Sequence, residues 1–134
     1  MERENLMLLD MKKSDKLNTT IPFQMVSETG IISVPFENLD NETSRTLKAN
    51  LDAVAPNCKN LIIDLNQVKF MDSSGIGIIL SCQRDMNKKK GELKLCSLNK
   101  PVRALLEMVR MNKALDIFNS LDEAIASFQP KKIQ

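Results

Sequence analysis

Residues 61–65, LIIDL, and residues 70–77, FMDSSGIG, decide how this chain folds. The first segment is an almost continuous apolar run, which is typical of a strand buried in a parallel sheet. The second places an acid, two hydroxyl groups and two glycines at the start of a mostly apolar run, the pattern of a loop that enters a helix. A helix N-terminus exposes backbone N–H groups and a partial positive charge, so it accepts an anion or a phosphorylated side chain. The sequence therefore predicts a strand, a loop and a helix whose first turn carries a candidate functional serine, Ser73.

Strands and helices alternate on both sides of this segment. Upstream, residues 23–28 and 32–36 predict two strands joined by a tight turn at Thr29 and Gly30, and a helix capped by Asp40 or Asn41 follows. Downstream, the helix after Ser73 is predicted to end with Gly91 as its C-cap, and Asn99 is predicted to cap the next helix. The remaining predicted elements are strands at residues 92–96 and 115–118 and a last helix at residues 120–128. This order predicts an α/β domain with a mixed sheet of four to five strands, an N-terminal hairpin and about four helices.

The chain of 134 residues is long enough for one compact domain. We expect this domain to span residues 21–130, with residues 1–20 as a flexible N-terminal extension and residues 131–134 as a C-terminal tail. The N-terminus lacks the positive flank of a signal peptide, and no apolar run approaches the roughly 20 residues that span a bilayer. We therefore expect a soluble, cytoplasmic protein without a membrane partner.

The composition excludes several kinds of chemistry. Nineteen basic and seventeen acidic residues leave a net charge of +2, too balanced for a surface built mainly to bind nucleic acid. The chain has no histidine, which excludes Ser-His-Asp and Cys-His catalysis and histidine metal sites within it. Cys58, Cys82 and Cys96 form no Cys-x-x-Cys pair, so we expect reduced thiols and no zinc site. Gly75 and Gly77 lack the third glycine of a dinucleotide fingerprint, and there is no P-loop. We therefore expect no cofactor, no metal and no enzymatic activity.

Residues 61–65, Val68, residues 70–75 and Gly77 together resemble the STAS family, in particular the bacterial anti-sigma factor antagonists. The similarity runs from about Gln24 to Phe128. In that family the serine directly after the aspartate is the phosphorylation site, so the resemblance implies Ser73 as the acceptor and Ser74 as the second choice. It also implies a partner switch. The unphosphorylated antagonist binds a serine-kinase anti-sigma factor, phosphorylation by that kinase ends the complex, and a serine phosphatase of the metal-dependent type resets it.

Several residues near Ser73 are candidates for contact with a partner. The resemblance places Asp40 in the kinase-contacting position at the start of the first helix. The candidates around the serine are Met71, Asp72, Ser74, Gly75, Gly77 and Ile78. The two glycines either admit a partner's backbone or let the helix pack closely on its own sheet. The two apolar residues either anchor a partner or are ordinary exposed apolar residues.

Two questions stay open at the level of sequence. Serine is among the best N-cap residues, so Ser73 is either a structural cap or a cap that also accepts a phosphate. The main alternative function is a STAS module that binds a lipid or other apolar ligand, or a transport-associated subunit, without phosphorylation. A small enzyme that uses carboxylates is a weaker alternative. The sequence does not specify the oligomeric state.

Overall fold

A mixed sheet of five strands forms the centre of this computed structural model, which describes residues 20–129. The strands along the chain are β1 (Phe23–Val26), β2 (Thr29–Ser33), β3 (Asn38–Leu39), β4 (Asn60–Asp64), β5 (Phe70–Met71), β6 (Leu93–Cys96) and β7 (Asp116–Phe118). The α-helices are α1 (Asn41–Val54), α2 (Ser73–Lys88), α3 (Lys100–Met108) and α4 (Leu121–Phe128), with short 3-10 helices at Ala55–Asn57 and Met111–Lys113. The predicted extension up to residue 19 and the predicted tail lie outside the described residues.

The sheet has the order β1-β2-β4-β6-β7. β1 pairs antiparallel with β2, and the remaining neighbours pair in parallel. The predicted mixed α/β sheet, its N-terminal hairpin and its helix order are therefore confirmed. The parallel pairs follow from the chain order, because each crossover between parallel strands needs an intervening segment long enough to hold a helix.

Apolar side chains cover both faces of the sheet. On the first face, alternate residues of the central strands, such as Leu61 and Ile63, pack with α1, α2 and α3 into the main core. On the second face, Ile62 packs with Ile31, Cys96 and Ala124 under α4. The LIIDL segment is thus apolar at consecutive positions because its two faces serve two separate clusters. Within residues 20–129 all three cysteines are free and buried.

The hairpin turn differs from the prediction. The turn consists of Ser27 and Glu28, and Ser27 has a left-handed backbone with φ 58°. Thr29 and Gly30 already belong to β2. A Cβ atom on Gly30 would collide with the sulfur of Cys58 and would lie 2.8 Å from the ring of Phe23. Gly30 is therefore needed because Cys58 and Phe23 pack closely against the backbone of β2. This glycine does not form the turn that the sequence predicted.

The end of α2 also differs in detail. The residue with a left-handed backbone is Lys90 with φ 64°, not the predicted Gly91. The Gly91 N–H donates to the carbonyl of Met86 at 2.8 Å and closes the helix. A Cβ atom on Gly91 would collide with the backbone carbonyl of Lys59, so this glycine too serves a close approach. None of the helices within the described range is both long enough and apolar enough to span a bilayer.

Candidate functional site

A short parallel ladder places two helix N-termini side by side. β3 pairs with β5, with Leu39 opposite Met71. Each strand runs directly into a helix, so the next residues, Asp40 and Asp72, are the N-caps of α1 and α2. The Asp72 N–H donates to the carbonyl of Leu39 at 3.2 Å and ties the two junctions together. The sequence did not predict this ladder, because two-residue strands have no readable periodicity.

Asp72, and not Ser73, caps α2. Its backbone is extended, with φ −110° and ψ −170°, and its Oδ1 atom accepts the Ser74 N–H at 2.8 Å. Ser73 is the first residue of the helix, its side chain is exposed, and its hydroxyl makes no hydrogen bond to any residue in the range 20–129. The prediction that Ser73 is a cap is therefore wrong, since the preceding carboxylate satisfies the helix donor. The Ser73 hydroxyl has no structural task there and is accessible.

Asp40 closes the start of α1 with Thr43 in a reciprocal capping box. The Asp40 Oδ1 atom accepts the Thr43 N–H at 3.1 Å, and the Thr43 hydroxyl oxygen accepts the Asp40 N–H at 2.8 Å. The single hydrogen of the Thr43 hydroxyl is shared between the carbonyl of Asn38 at 2.8 Å and the Asp40 Oδ1 atom at 3.0 Å, which links the cap to the ladder. The hydrogen bonds from the Thr43 backbone and side chain hold the pKa of Asp40 below its ordinary value. Asp40 therefore presents a fixed carboxylate beside the Asp72 cap.

The other predicted contact residues have different positions. Met71 and Ser74 are half-buried at the ladder, whereas Gly77 is exposed, and a Cβ atom added to it would have no other atom within 4 Å. Gly75 is buried, and a Cβ atom there would lie 2.6 Å from Cγ of Met71 and 3.0 Å from Leu39. For Gly75 the structure therefore favours close packing of α2. Ile78 is half-buried in a narrow groove between α1 and α2.

Phe70 is a candidate that the sequence analysis missed. Its side chain is 59% exposed in β5, where it lies opposite Asn38 and two residues before the Asp72 cap. It lines an open depression of about 230 Å³ with Asn38, Leu39, Asp40, Met71 and Asp72. Phe70 follows the charged Lys69 and precedes the half-buried Met71, and a two-residue strand has no periodicity that marks either side chain as exposed. A large exposed aromatic side chain beside two carboxylates offers a partner apolar area as well as charge.

The described residues contain no metal site of the usual kind. Within the range 20–129, no three Cys, Asp or Glu side chains are grouped so that they could hold an ion. The site therefore offers an accessible hydroxyl, two ordered carboxylates and an exposed aromatic ring. This arrangement is suited to recognition and to modification of the hydroxyl.

Residues 22–124 match the family model of the STAS domain. The chain therefore belongs to the STAS domain family. It is homologous to anti-sigma factor antagonists: the anti-sigma F factor antagonist of Paenibacillus polymyxa is 30% identical over 112 residues, which cover 81% of this chain and 96% of that protein.

Solved structures share the fold. The Bacillus cell fate determinant SpoIIAA in its phosphorylated form superposes with a TM-score of 0.66 at 22% identity, covering 82% of this chain and 100% of that one. The murine anion transporter Slc26a9 in its inward-facing state gives a TM-score of 0.63 at 17% identity, covering 77% of this chain but only 18% of the transporter. The fold thus occurs both as an independent small protein and as part of a transporter.

Proposed function

We propose that this chain is an anti-sigma factor antagonist that is controlled by phosphorylation of Ser73. The observation that carries the proposal is the exposed Ser73 hydroxyl, which starts α2 without a structural hydrogen bond, beside the two capping aspartates. The homology to anti-sigma factor antagonists supports this choice of function. In the unphosphorylated state the chain binds a serine-kinase anti-sigma factor, and phosphorylation of Ser73 releases it.

A phosphate on Ser73 acts on binding and leaves the fold intact. It adds about −1.5 to −2 charges at the positive end of the α2 dipole, which favours the modified helix by roughly 0.3 to 1 kcal/mol. The partner, however, meets a surface that already carries Asp72 and Asp40, and now must also desolvate a dianion. A hundredfold loss of affinity requires only about 2.8 kcal/mol. Repulsion and desolvation at one contact are sufficient for a loss of that size.

The proposed partner surface is centred on the ladder. It comprises Ser73 with Asp40, Phe70, Met71, Asp72, Ser74 and Gly77. Gly75 and Ile78 act indirectly, because Gly75 allows α2 to approach the ladder and Ile78 packs in the α1–α2 groove. The surface thus combines the predicted contacts with the aromatic ring of Phe70.

In this proposal the chemistry belongs to the partners. The kinase supplies ATP, and a serine phosphatase of the metal-dependent type removes the phosphate and restores binding. The chain itself acts by binding and by accepting the phosphate, not as an enzyme. We place this switch in the cytoplasm, where the partner kinase has access to ATP.

Affinity capture tests the proposal. Wild-type, Ser73→Ala and Ser73→Asp proteins are immobilised and incubated with lysate of the source bacterium, with Ser74→Ala as the neighbouring control. We expect a kinase to be retained by wild type, Ser73→Ala and Ser74→Ala, and to be lost from Ser73→Asp. The captured kinase with ATP should then add a single phosphate to wild type, which mass spectrometry localises to Ser73. Phosphate on Ser74 alone, or none with an active kinase, contradicts the proposal.

A second candidate is a STAS module without phosphorylation. The likeness to part of an anion transporter shows that this fold also serves in transport proteins. Such a module would bind a lipid or other apolar ligand, or would assemble with a transport protein. A ligand that co-purifies with the chain, together with unchanged function in Ser73→Ala, would favour this candidate.

A further inference from the structure

Asn99 occupies the N-cap position of α3 but does not cap the helix. Its backbone is extended, with φ −72° and ψ 159°, as expected for this position. Its side chain, however, makes no capping hydrogen bond to the first turn of α3. The predicted capping role of Asn99 is therefore wrong. Asparagine is one of the strongest N-cap residues, so α3 begins without a stabilising contact that its own sequence offers.

The side-chain amide of Asn99 donates hydrogen bonds to a different segment of the chain. Its Nδ2 atom donates to the carbonyl of Asn66 at 2.9 Å and to the carbonyl of Val68 at 2.8 Å. A side-chain amide nitrogen carries two hydrogens, so both are engaged. The two acceptors lie in the loop of residues 65–69 between β4 and β5, more than thirty residues away in sequence. We call this pair of hydrogen bonds the Asn99 clamp.

The other hydrogen bonds of this loop are local or come from β6 and from the segment before β3. The Leu65 N–H donates to the carbonyl of Cys96 at 3.1 Å. The Val68 N–H donates to the carbonyl of Leu65 at 3.0 Å. The carbonyl of Glu37 accepts the Lys69 N–H at 2.7 Å and the Phe70 N–H at 3.1 Å. These bonds hold the loop through its N–H groups, whereas the clamp holds it through its carbonyl groups. The clamp also connects the loop to α3, a helix that already contacts β5.

We propose that Asn99 is a positioning residue for the Ser73 site. The loop that it holds leads without interruption through β5 to Asp72 and Ser73. Fixing two loop carbonyls fixes the direction in which the chain enters the ladder, and thereby the orientation of the α2 N-terminus. The side chain of Val68 is fully buried in the main core and stays anchored when the clamp is lost, so the loop backbone loosens without unfolding of the core. The consequence for phosphorylation rests on the proposed function, whereas the clamp itself does not.

Hydrogen exchange of the isolated protein tests the clamp directly. Asn99→Ser places a residue that can cap α3 at this position, but a serine hydroxyl has one hydrogen and is too short to reach both carbonyls. We expect its thermal midpoint to match that of wild type, while the amides of Val68, Lys69, Phe70 and Ser74 exchange roughly tenfold faster, as for the loss of about one hydrogen bond. Asn99→Asp is the second variant. It can also cap α3, but it has no hydrogen to donate and turns a carboxylate toward the two carbonyls, so its exchange should be at least as fast.

The matched control is Gln83→Ala. It removes another long-range bond from a side-chain amide to the backbone, the bond from Gln83 Nε2 to the carbonyl of Ala114 at 2.6 Å. This variant should leave exchange in the loop and at Ser74 unchanged. Exchange at wild-type rates in both Asn99 variants would overturn the proposal, and so would an equal rise in Gln83→Ala.

The kinase identified by capture gives the second readout. With wild type as the reference substrate, Asn99→Ser should lower kcat/KM for phosphate transfer to Ser73 about tenfold, in step with exchange, and Gln83→Ala should not. Faster exchange in Asn99→Ser with unchanged kcat/KM would show that the clamp holds the loop but does not position Ser73 for phosphorylation. That result would reject the positioning role. Absence of phosphate on wild-type Ser73 would instead reject the proposed function. In either case, the exchange experiment on the isolated protein tests whether the clamp holds the loop, because it needs no kinase.

Discussion

Gly75 and Gly77 have opposite environments although they are two positions apart on α2. A Cβ atom on Gly75 would meet Met71 and Leu39, whereas one on Gly77 would meet only open space. We therefore predict that Gly77→Ala raises the free energy of unfolding by about 0.5–1 kcal/mol, the usual gain of alanine over glycine in a helix. Gly75→Ala should lower it by about 1–3 kcal/mol, because the added methyl group overpacks the ladder. Urea unfolding of the two variants measures both changes, and a shift of the same sign in both would contradict this account.

The aromatic ring of Phe70 leads to a prediction about binding. Because its side chain is 59% exposed, Phe70→Ala should change stability by less than about 0.5 kcal/mol, as for most surface substitutions. If the ladder is the partner surface, the same variant should weaken kinase binding by about ten- to thirtyfold, the effect of removing an aromatic anchor. Titration calorimetry with the captured kinase measures this loss.

Met25→Ala is the control for that measurement. Met25 is also an exposed apolar residue, at 44%, but it contacts Cys58 beyond the C-terminal end of α1, whereas the ladder adjoins the N-terminal end. We expect binding to be unaffected in Met25→Ala. Equal losses in the two variants would point to a general effect of exposed apolar area instead of a contact at Phe70.

At the residue scale, the sequence predicted the location of the functional serine but not its structural role. Aspartate and serine are both strong N-caps, so propensity cannot decide which of Asp72 and Ser73 caps α2. The choice depends on where the backbone leaves the ladder with β3, a contact over thirty residues away in sequence. The role of Asn99 could not be predicted from propensity either, because its side-chain amide donates to a distant loop and not to the first turn of its own helix.

At the scale of elements, the capping box at the start of α1 gives a prediction about pH. Hydrogen bonds to the carboxylate lower the pKa of Asp40 in the folded state, so folding favours its ionised form. This stabilisation is fully present above the pKa of the unfolded chain and is lost as the pH falls through the lower folded pKa. Asp40→Asn retains an oxygen that can accept the Thr43 N–H but has no charge to lose.

We therefore expect wild type to be more stable than Asp40→Asn at pH 7, with the difference disappearing at strongly acidic pH. Urea unfolding of both proteins across this range is the measurement. Gln83→Ala, whose substitution changes no titratable group, is the control and should differ from wild type by the same amount at each pH. A difference between wild type and Asp40→Asn that grows on acidification would contradict the assigned direction of the pKa.

The sequence predicted long elements well and short ones poorly. The apolar strands and amphipathic helices are recognisable by their periodicity, so the order of elements along the chain could be predicted from them. The β3–β5 ladder has two residues in each strand, too few for any period. The hairpin turn was misplaced because Gly30 indicated a turn, although the glycine is needed where Cys58 and Phe23 approach the backbone.

At the scale of the whole molecule, Lys94 holds α4 against the second face of the sheet. It lies in the LKLC strand between two buried leucines and is itself only 6% exposed. The ammonium group donates to the hydroxyl of Ser127 at 2.9 Å and lies 4.0 Å from the ring centre of Phe128. It also lies 5.5 Å from the ring centre of Phe118. A buried lysine thus connects β6 to the last helix.

The magnitudes indicate that the apolar stem of Lys94 contributes more than its charge. A cation–π contact contributes about 0.5–2 kcal/mol and a hydrogen bond from a charged donor about 1.5–3 kcal/mol. Removing an ammonium group from water costs several kcal/mol, which offsets most of this gain. Lys94→Met keeps the length of the stem and a sulfur that suits aromatic neighbours, so we predict stability within about 1 kcal/mol of wild type.

Lys94→Ala, in contrast, removes the stem and leaves a cavity between the sheet and α4. We predict a loss of about 2–4 kcal/mol, the range for truncating a large side chain in a core. Thermal unfolding measures both variants, and Lys88→Met, at an exposed lysine in the last turn of α2, is the control and should change stability by less than about 0.5 kcal/mol. If Lys94→Met were as unstable as Lys94→Ala, the charge, and not the stem, would hold α4, because the methionine fills the same space without an ammonium group.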